Sequence, residues 1–207
     1  MFELDNDFNN IIIERLKSHS LYDESSKKSD HQNYTLNHKQ AVIAMYMELC
    51  DRINPDGQIT VPSSIVYHDT DKLVTYALLP KAEASAIHKR LAPHHMGNQR
   101  SPADIIDTVM DYESARFTKP DKPENAWGTV CSKYPDYKGL VLPYVTALGL
   151  TEEHQAFNFF KWSTNKLTRT ILAYQIADKI DEMYELIVRR GAEEATQKAY
   201  AVGGILT

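Results

Sequence analysis

An all-α fold is what this sequence predicts, and two observations carry that reading. Apolar residues recur at three- and four-residue steps over several long stretches, while Val61-Pro62 and Tyr144-Val145-Thr146 are too short to build a sheet. Helix-ending signals fall between these stretches, at Asn54-Pro55-Asp56-Gly57, Pro93 and Arg189-Arg190-Gly191. A chain of 207 residues is long enough for one core with a helical extension. The expected organisation has three parts: an N-terminal helix and polar linker (residues 1–33), a core (34–127), and C-terminal helices (128–207) packed on the same domain.

The elements follow in order. Residues 8–17 suit a short helix. Residues 18–33 turn polar and read as a loop or linker, with His19 and His31 in solvent. The first strong helix runs from Leu36 to Ile53, where Val42, Tyr46, Leu49, Cys50 and Ile53 form a stripe that also holds His38. Ser63 or Ser64 caps the next helix, which carries Ile65, Val66, His68, Asp69, Leu73 and Val74. Residues 81–91 make a short helix stopped by Pro93. Ser101-Pro102 opens another, with a capping hydroxyl and a proline at the first helical position. Its apolar face is Ile105, Ile106, Val109, Met110 and Phe117; periodicity places Asp104, Asp107 and Asp111 on the opposite, solvated face. Alternating proline and charge over residues 118–124 forbid helix. Thr151-Glu-Glu reads as a helix start, and Phe157, Phe160 and Trp162 as a buried aromatic cluster. Residues 166–190 form a long amphipathic helix whose stripe includes Leu167, Ile171, Leu172, Ile176, Ile180, Met183, Leu186 and Ile187. A stripe that wide suits a core or a homodimer seam.

Composition narrows the function classes. The chain is 43% apolar and 25% charged with a net charge of -5, which argues against binding long nucleic acid or an anionic membrane. It leaves room for a local basic pocket. Cys50 and Cys131 are too few for a disulfide framework, no apolar run approaches a membrane span, and the N-terminus is acidic where a signal peptide is basic. The expected location is the cytoplasm.

Five of the eight histidines lie between residues 38 and 95, as His38, His68-Asp69, His88 and His94-His95. Asp111 follows on the next helix. Imidazole lone pairs with a carboxylate are the donors that a borderline divalent metal takes, and a carboxylate can bridge two ions. Such a series is hard to explain as packing.

The series resembles the HD-domain superfamily of metal-dependent phosphohydrolases, closest to members with two metals, whose order is His … His-Asp-x-x-Lys … His … His-His … Asp. The likeness spans residues 34–127. The stretch from Asp111 through Arg116, Lys119 and Lys122 also looks like a small bacterial and phage branch related to that fold. The resemblance implies an HD-like helical bundle, with His38, His68, Asp69, His88, His94, His95 and Asp111 as metal ligands. His88 stands only six residues before His94, so it either binds metal or supports the site. Asp107 is the alternative to Asp111 one turn away. Asp69 and Lys72 take the catalytic roles, and Lys72, Arg116, Lys119 and Lys122 contact a phosphate.

One or two divalent transition metal ions are the expected cofactor, with abundant imidazole favouring Fe, Mn, Co, Ni or Zn over Mg. Such ions lower the pKa of water and clamp phosphoryl oxygens. Lys72 and Arg116 would offset phosphoryl charge, and Arg116 adds a bidentate fork. The reading is hydrolysis of a nucleotide or other small phosphorylated metabolite. The same ligands would also serve an HD-type diiron oxygenase, or a non-catalytic metal-binding adaptor.

Overall fold

A computed structural model describes residues 2–119, 124–151 and 155–201 of the chain. Among them the secondary structure is helical, with no strand. The fold is all-α, as the periodicity predicts.

The helices are α1 (Asn6–Ser18), α2 (Lys27–Ile53), α3 (Ser63–Val66), α4 (Thr70–Leu78), α5 (Lys81–Leu91), α6 (Pro102–Thr118), α7 (Ala126–Lys133), α8 (Lys138–Ala147), α9 (Phe160–Thr164), α10 (Lys166–Arg190) and α11 (Ala192–Ala201). The axis of the molecule is α2. From Leu36 to Leu49 it buries residues on all sides, among them His38, Lys39, Val42, Ile43, Met45 and Met47. A helix buried all round has neighbours on every face. Here α6, α4 and α9 pack against it, while α10 packs on α1, α4 and α11.

α2 starts at Lys27, so seven residues expected in a linker are helical. Ser26 caps it by accepting from the Lys28 amide at 3.2 Å. The polar first turns are held by tertiary partners: Gln32 donates to the carbonyls of Leu21 and Leu73, at 3.0 and 2.7 Å. His19 is half-buried, with Nε2 2.7 Å from Asp181. At the other end Ile53 is exposed, off the stripe on which it was expected.

The proposed helix through His68-Asp69 is two helices. α3 ends at Val66 and α4 begins at Thr70, with Asp69 between them in the left-handed conformation, φ 58°. The start of α6 is as expected, with the Ser101 hydroxyl accepting from the Asp104 amide. Gly191, φ +88°, ends α10.

The C-terminal part departs from expectation in two places. Thr151 opens no described helix; residues 152–154 lie outside the described residues, and α9 starts at Phe160. Phe160 is 56% exposed, and Phe159 takes its place beside Phe157 and Trp162 in the core. The reason is the left-handed turn at Phe159 (φ 53°), whose amide donates to Glu48 at 2.8 Å and swings the next ring outward. On α10, Leu172, Ile176, Ile180 and Met183 are spent on the internal core, leaving Leu167 and Ile171 exposed. No helix among the described residues is long and apolar enough to cross a membrane.

Candidate metal centre

Four segments bring the histidines together. α2 supplies His38, the α3–α4 break supplies His68 and Asp69, and α5 with the turn after it supplies His88, His94 and His95. α6 supplies Asp107 and Asp111. The rings form one continuous cluster, with centroids 5.5 Å apart for His38–His68, 4.1 Å for His68–His94, 5.1 Å for His88–His94 and 4.8 Å for His88–His95.

Asp69 lies at the centre. Its Oδ1 is 3.2 Å from His88 Nε2 and 3.3 Å from His94 Nε2, and its Oδ2 is 3.7 Å from His68 Nε2. The Nε2 atoms of His68, His88, His94 and His95, together with Asp69 Oδ1, are buried and take part in no hydrogen bond among the described residues. Buried polar atoms are normally paired, and leaving one unpaired costs roughly 1–3 kcal/mol. A set of such atoms around one carboxylate could hold a metal ion.

Three groups have ligand atoms within 4.8 Å of one another: His38, His68 and Asp69; His68, His94 and Asp111; and His88, His94 and His95. A small inward shift brings these to the roughly 3–4 Å between neighbouring ligands of an ion with ~2.1 Å bonds. These residues can hold a metal ion.

The opposite nitrogens of His68 and His88 are held from behind, while His94 Nδ1 makes no hydrogen bond among the described residues. Asp107 Oδ1 is 3.0 Å from His68 Nδ1, and Oδ2 is 3.5 Å from His94 Nδ1. Asp71 lies 2.9 Å from His88 Nδ1. A carboxylate on one imidazole nitrogen fixes the tautomer and turns the other lone pair toward an ion. Asp107 and Asp111 are placed differently. Asp111 faces the cluster, 2.8 Å from His38 Nε2 and 3.9 Å from His68 Nε2, whereas Asp107 anchors the His68 ring from the rear. The acidic face of α6, expected in solvent, is turned inward there, and Asp107 is buried. His88 Nε2 faces Asp69 Oδ1 at 3.2 Å, and His88 groups with His94 and His95 as residues that could hold an ion.

The charges respond to this crowding. Burial pushes the His94 imidazole down, but the carboxylates of Asp107 and Asp69 prevail and hold it at about 10. Burial, with His94 and His88 nearby, pushes His95 down to about 3. Burial raises Asp69, yet Lys72, His68 and His88 outweigh it and hold the carboxyl well below its ordinary range. The centre favours one added positive charge, which a proton on His94 or a metal ion supplies.

The cluster opens through His38, Asp69, His88, His95 and Asp111 into a cavity of about 650 Å³. Lys72 is on its wall, 2.8 Å from Asp69 Oδ2. Lys81, Lys89, Lys119 and Lys133 line it too, as do Tyr34, Tyr76, Tyr112 and Tyr134. Lys119 stands over the Tyr34 ring at 4.6 Å.

Arg116 is not brought to this wall. Its guanidinium pairs with Glu113 at 2.9 Å, donates to the Gln155 carbonyl at 2.8 Å and lies over the rings of Phe117 and Phe157. Arg116 faces away because it lies five residues after Asp111 on α6, which on a 100° helical step is the other side. Lys122 lies outside the described residues. Sequence reasoning missed Lys39, Asp71 and Tyr200. Asp71 had a local signal, lying two residues after Asp69 in a segment already rich in ligands. Lys39 and Tyr200 had none.

Fold and site together define an all-α protein with a buried His/Asp cluster that can hold a metal ion. No family model matches the sequence, and no curated protein or solved structure matches it either.

Proposed function

We propose that this protein is a metal-dependent phosphohydrolase of the HD type, acting on a nucleotide or another small phosphorylated metabolite. One observation carries the reading: unpaired imidazole nitrogens converge on Asp69 at the floor of a lysine-lined cavity. The residues that would hold one or two ions are His38, His68, Asp69, His88, His94, His95 and Asp111, with Asp69 as the shared ligand. Imidazole-rich donors suit Fe, Mn, Co, Ni or Zn better than Mg.

A bound divalent ion lowers the pKa of water enough to supply hydroxide at neutral pH, and it polarises a phosphoryl oxygen. The protein's own groups do the rest. Lys72 offsets the charge of the equatorial phosphoryl oxygens, and burial that lowers its pKa is outweighed by Asp69, so it stays cationic. Lys119 and the other cavity lysines steer an anion inward against the net charge of -5. A volume of about 650 Å³ suits a substrate of nucleotide size, within the usual range for small-molecule pockets.

The test is a screen of phosphorylated metabolites with Mn, Co, Fe, Ni, Zn and Mg in turn, with and without O2. Phosphate release that vanishes in Asp69→Ala supports the proposal. Turnover that needs O2 and releases no phosphate transfers the site to an HD-type diiron oxygenase. An ion-loaded protein without any turnover is a metal-binding adaptor.

A further inference from the structure

We propose that Tyr200 is a positioning residue of the metal centre, acting through Asp71 to hold His88 in the orientation and tautomer that present Nε2 to an ion. The proposal rests on the metal-binding reading of the cluster, and it makes the C-terminal helix α11 part of that centre.

α11 packs across α4 and α5, the helices that carry Asp71 and His88. It buries Ala195, Thr196 and Ala199 there, and Glu193 pairs with Arg90 of α5 at 2.9 Å. This seats Tyr200 behind the histidines. Its hydroxyl donates to Asp71 Oδ1 at 2.6 Å and lies 3.4 Å from His88 Nδ1. Asp71 in turn places both oxygens on His88 Nδ1, at 3.0 and 2.9 Å.

A neutral imidazole has one N–H. Asp71, acting as acceptor, takes it at Nδ1 and leaves the lone pair on Nε2, the atom 3.2 Å from Asp69 Oδ1. Asp71 can do this only while its oxygens stay turned to the ring, and the Tyr200 hydroxyl fixes that orientation by donating to Oδ1. Without the hydroxyl, the Asp71 carboxylate keeps one ring as its sole partner among the described residues and is free to turn, which releases the tautomer. The rear partner of His68 differs: Asp107 Oδ1 lies 3.0 Å from its Nδ1, and Oδ2 lies 3.5 Å from His94 Nδ1. A narrow rear cleft lined by Ser63, Tyr67, Pro93, Asp107 and Tyr200 ends on the same layer, so the Tyr200 ring also separates the histidines from that side.

The experiment is a Co(II) titration of metal-free wild type, Tyr200→Phe, Asp71→Asn and the double variant, followed by calorimetry and by the visible absorption of bound Co(II). Phenylalanine keeps the ring and its packing, and circular dichroism verifies the fold. Tyr200→Phe is expected to weaken Co(II) binding by about 10–100-fold and to alter the cobalt spectrum, as loss of a partner behind a ligand typically does. In the Asp71→Asn background the same change is expected to add little, because the two residues act in series. Tyr200→Phe that titrates and absorbs like wild type, or single losses that add in full, would overturn the proposal. Wild type that binds no Co(II) would instead refute the metal-centre reading itself.

Discussion

The ammonium of Lys39 donates to the main-chain carbonyl of His68, beneath the break that joins α3 to α4. It also donates to the Val66 carbonyl at 2.8 Å and to the Thr70 hydroxyl at 2.9 Å. A broken helix leaves carbonyls without intrahelical partners, and here they lie where water does not reach. A lysine from the central helix supplies what water would. Burial pushes this ammonium down to about 7, with Asp69, Asp107 and Asp71 opposing.

Replacing Lys39 by methionine keeps the length and removes the clamp. Stability of the metal-free protein is expected to fall by at least roughly 1–3 kcal/mol, the cost of unsatisfied buried acceptors. Metal content should fall too, since His68 and Asp69 lose their register. Denaturant unfolding with an unchanged midpoint would show that the break holds itself.

Asp69 adopts φ 58° without being glycine, a conformation that costs a side-chain-bearing residue roughly 1–2 kcal/mol. Asp69→Gly and Asp69→Ala should therefore differ in a defined way. Both lose the ion, as measured by elemental analysis, because both remove the carboxylate. The glycine variant should be the more stable by about 1 kcal/mol, since it alone relieves the backbone. Equal stabilities would mean that the turn relaxes when the carboxylate goes.

Metal affinity should depend on pH with a definite sign. His94 keeps a proton up to a pH of about 10 in the metal-free protein, so an ion that takes its Nε2 must displace it. Affinity for Co(II) should rise about tenfold per pH unit through the neutral range. The stability linkage runs the other way. Its pKa lies above the ordinary imidazole value of 6.5, so the stabilisation is complete below that value and is lost as pH rises through about 10. Thermal unfolding of the metal-free protein should thus show an alkaline fall that bound metal suppresses. A flat binding profile between pH 6 and 8 would contradict the protonation assigned to His94.

Arg116 and Lys72 should separate cleanly. Arg116→Ala leaves the carboxylate of Glu113 buried without its cation, a loss of up to roughly 3–5 kcal/mol in stability. Its KM for a phosphorylated substrate should be unchanged, because the guanidinium is not on the cavity wall. Lys72→Ala should lower turnover. A raised KM in a folded Arg116→Ala protein would return Arg116 to the phosphate.

The all-α fold and the His/Asp residues of the cluster were legible in the chain, because each depends on local information. A 3.6-residue apolar period marks a helix wherever it occurs, and the caps at Ser101 and Gly191 act within one turn. The ordered histidines and aspartates marked the cluster before any geometry. What local reasoning misread were positions where a distant partner outweighs propensity. Residues 27–33 are helical because Gln32 meets Leu21 and Leu73, and the helix through His68 breaks because Lys39 stabilises the break. The division of labour on α6 was likewise tertiary: Asp107 and Asp111 lie one turn apart with the same side chain, and only the neighbours decide which faces the centre. Arg116 read as a phosphate ligand until Glu113 and Gln155 claimed it. Tyr200 is the extreme case, 129 residues from the Asp71 it serves. Periodicity reports which face of a helix is buried, but the partner met on that face is chosen by packing across the whole chain.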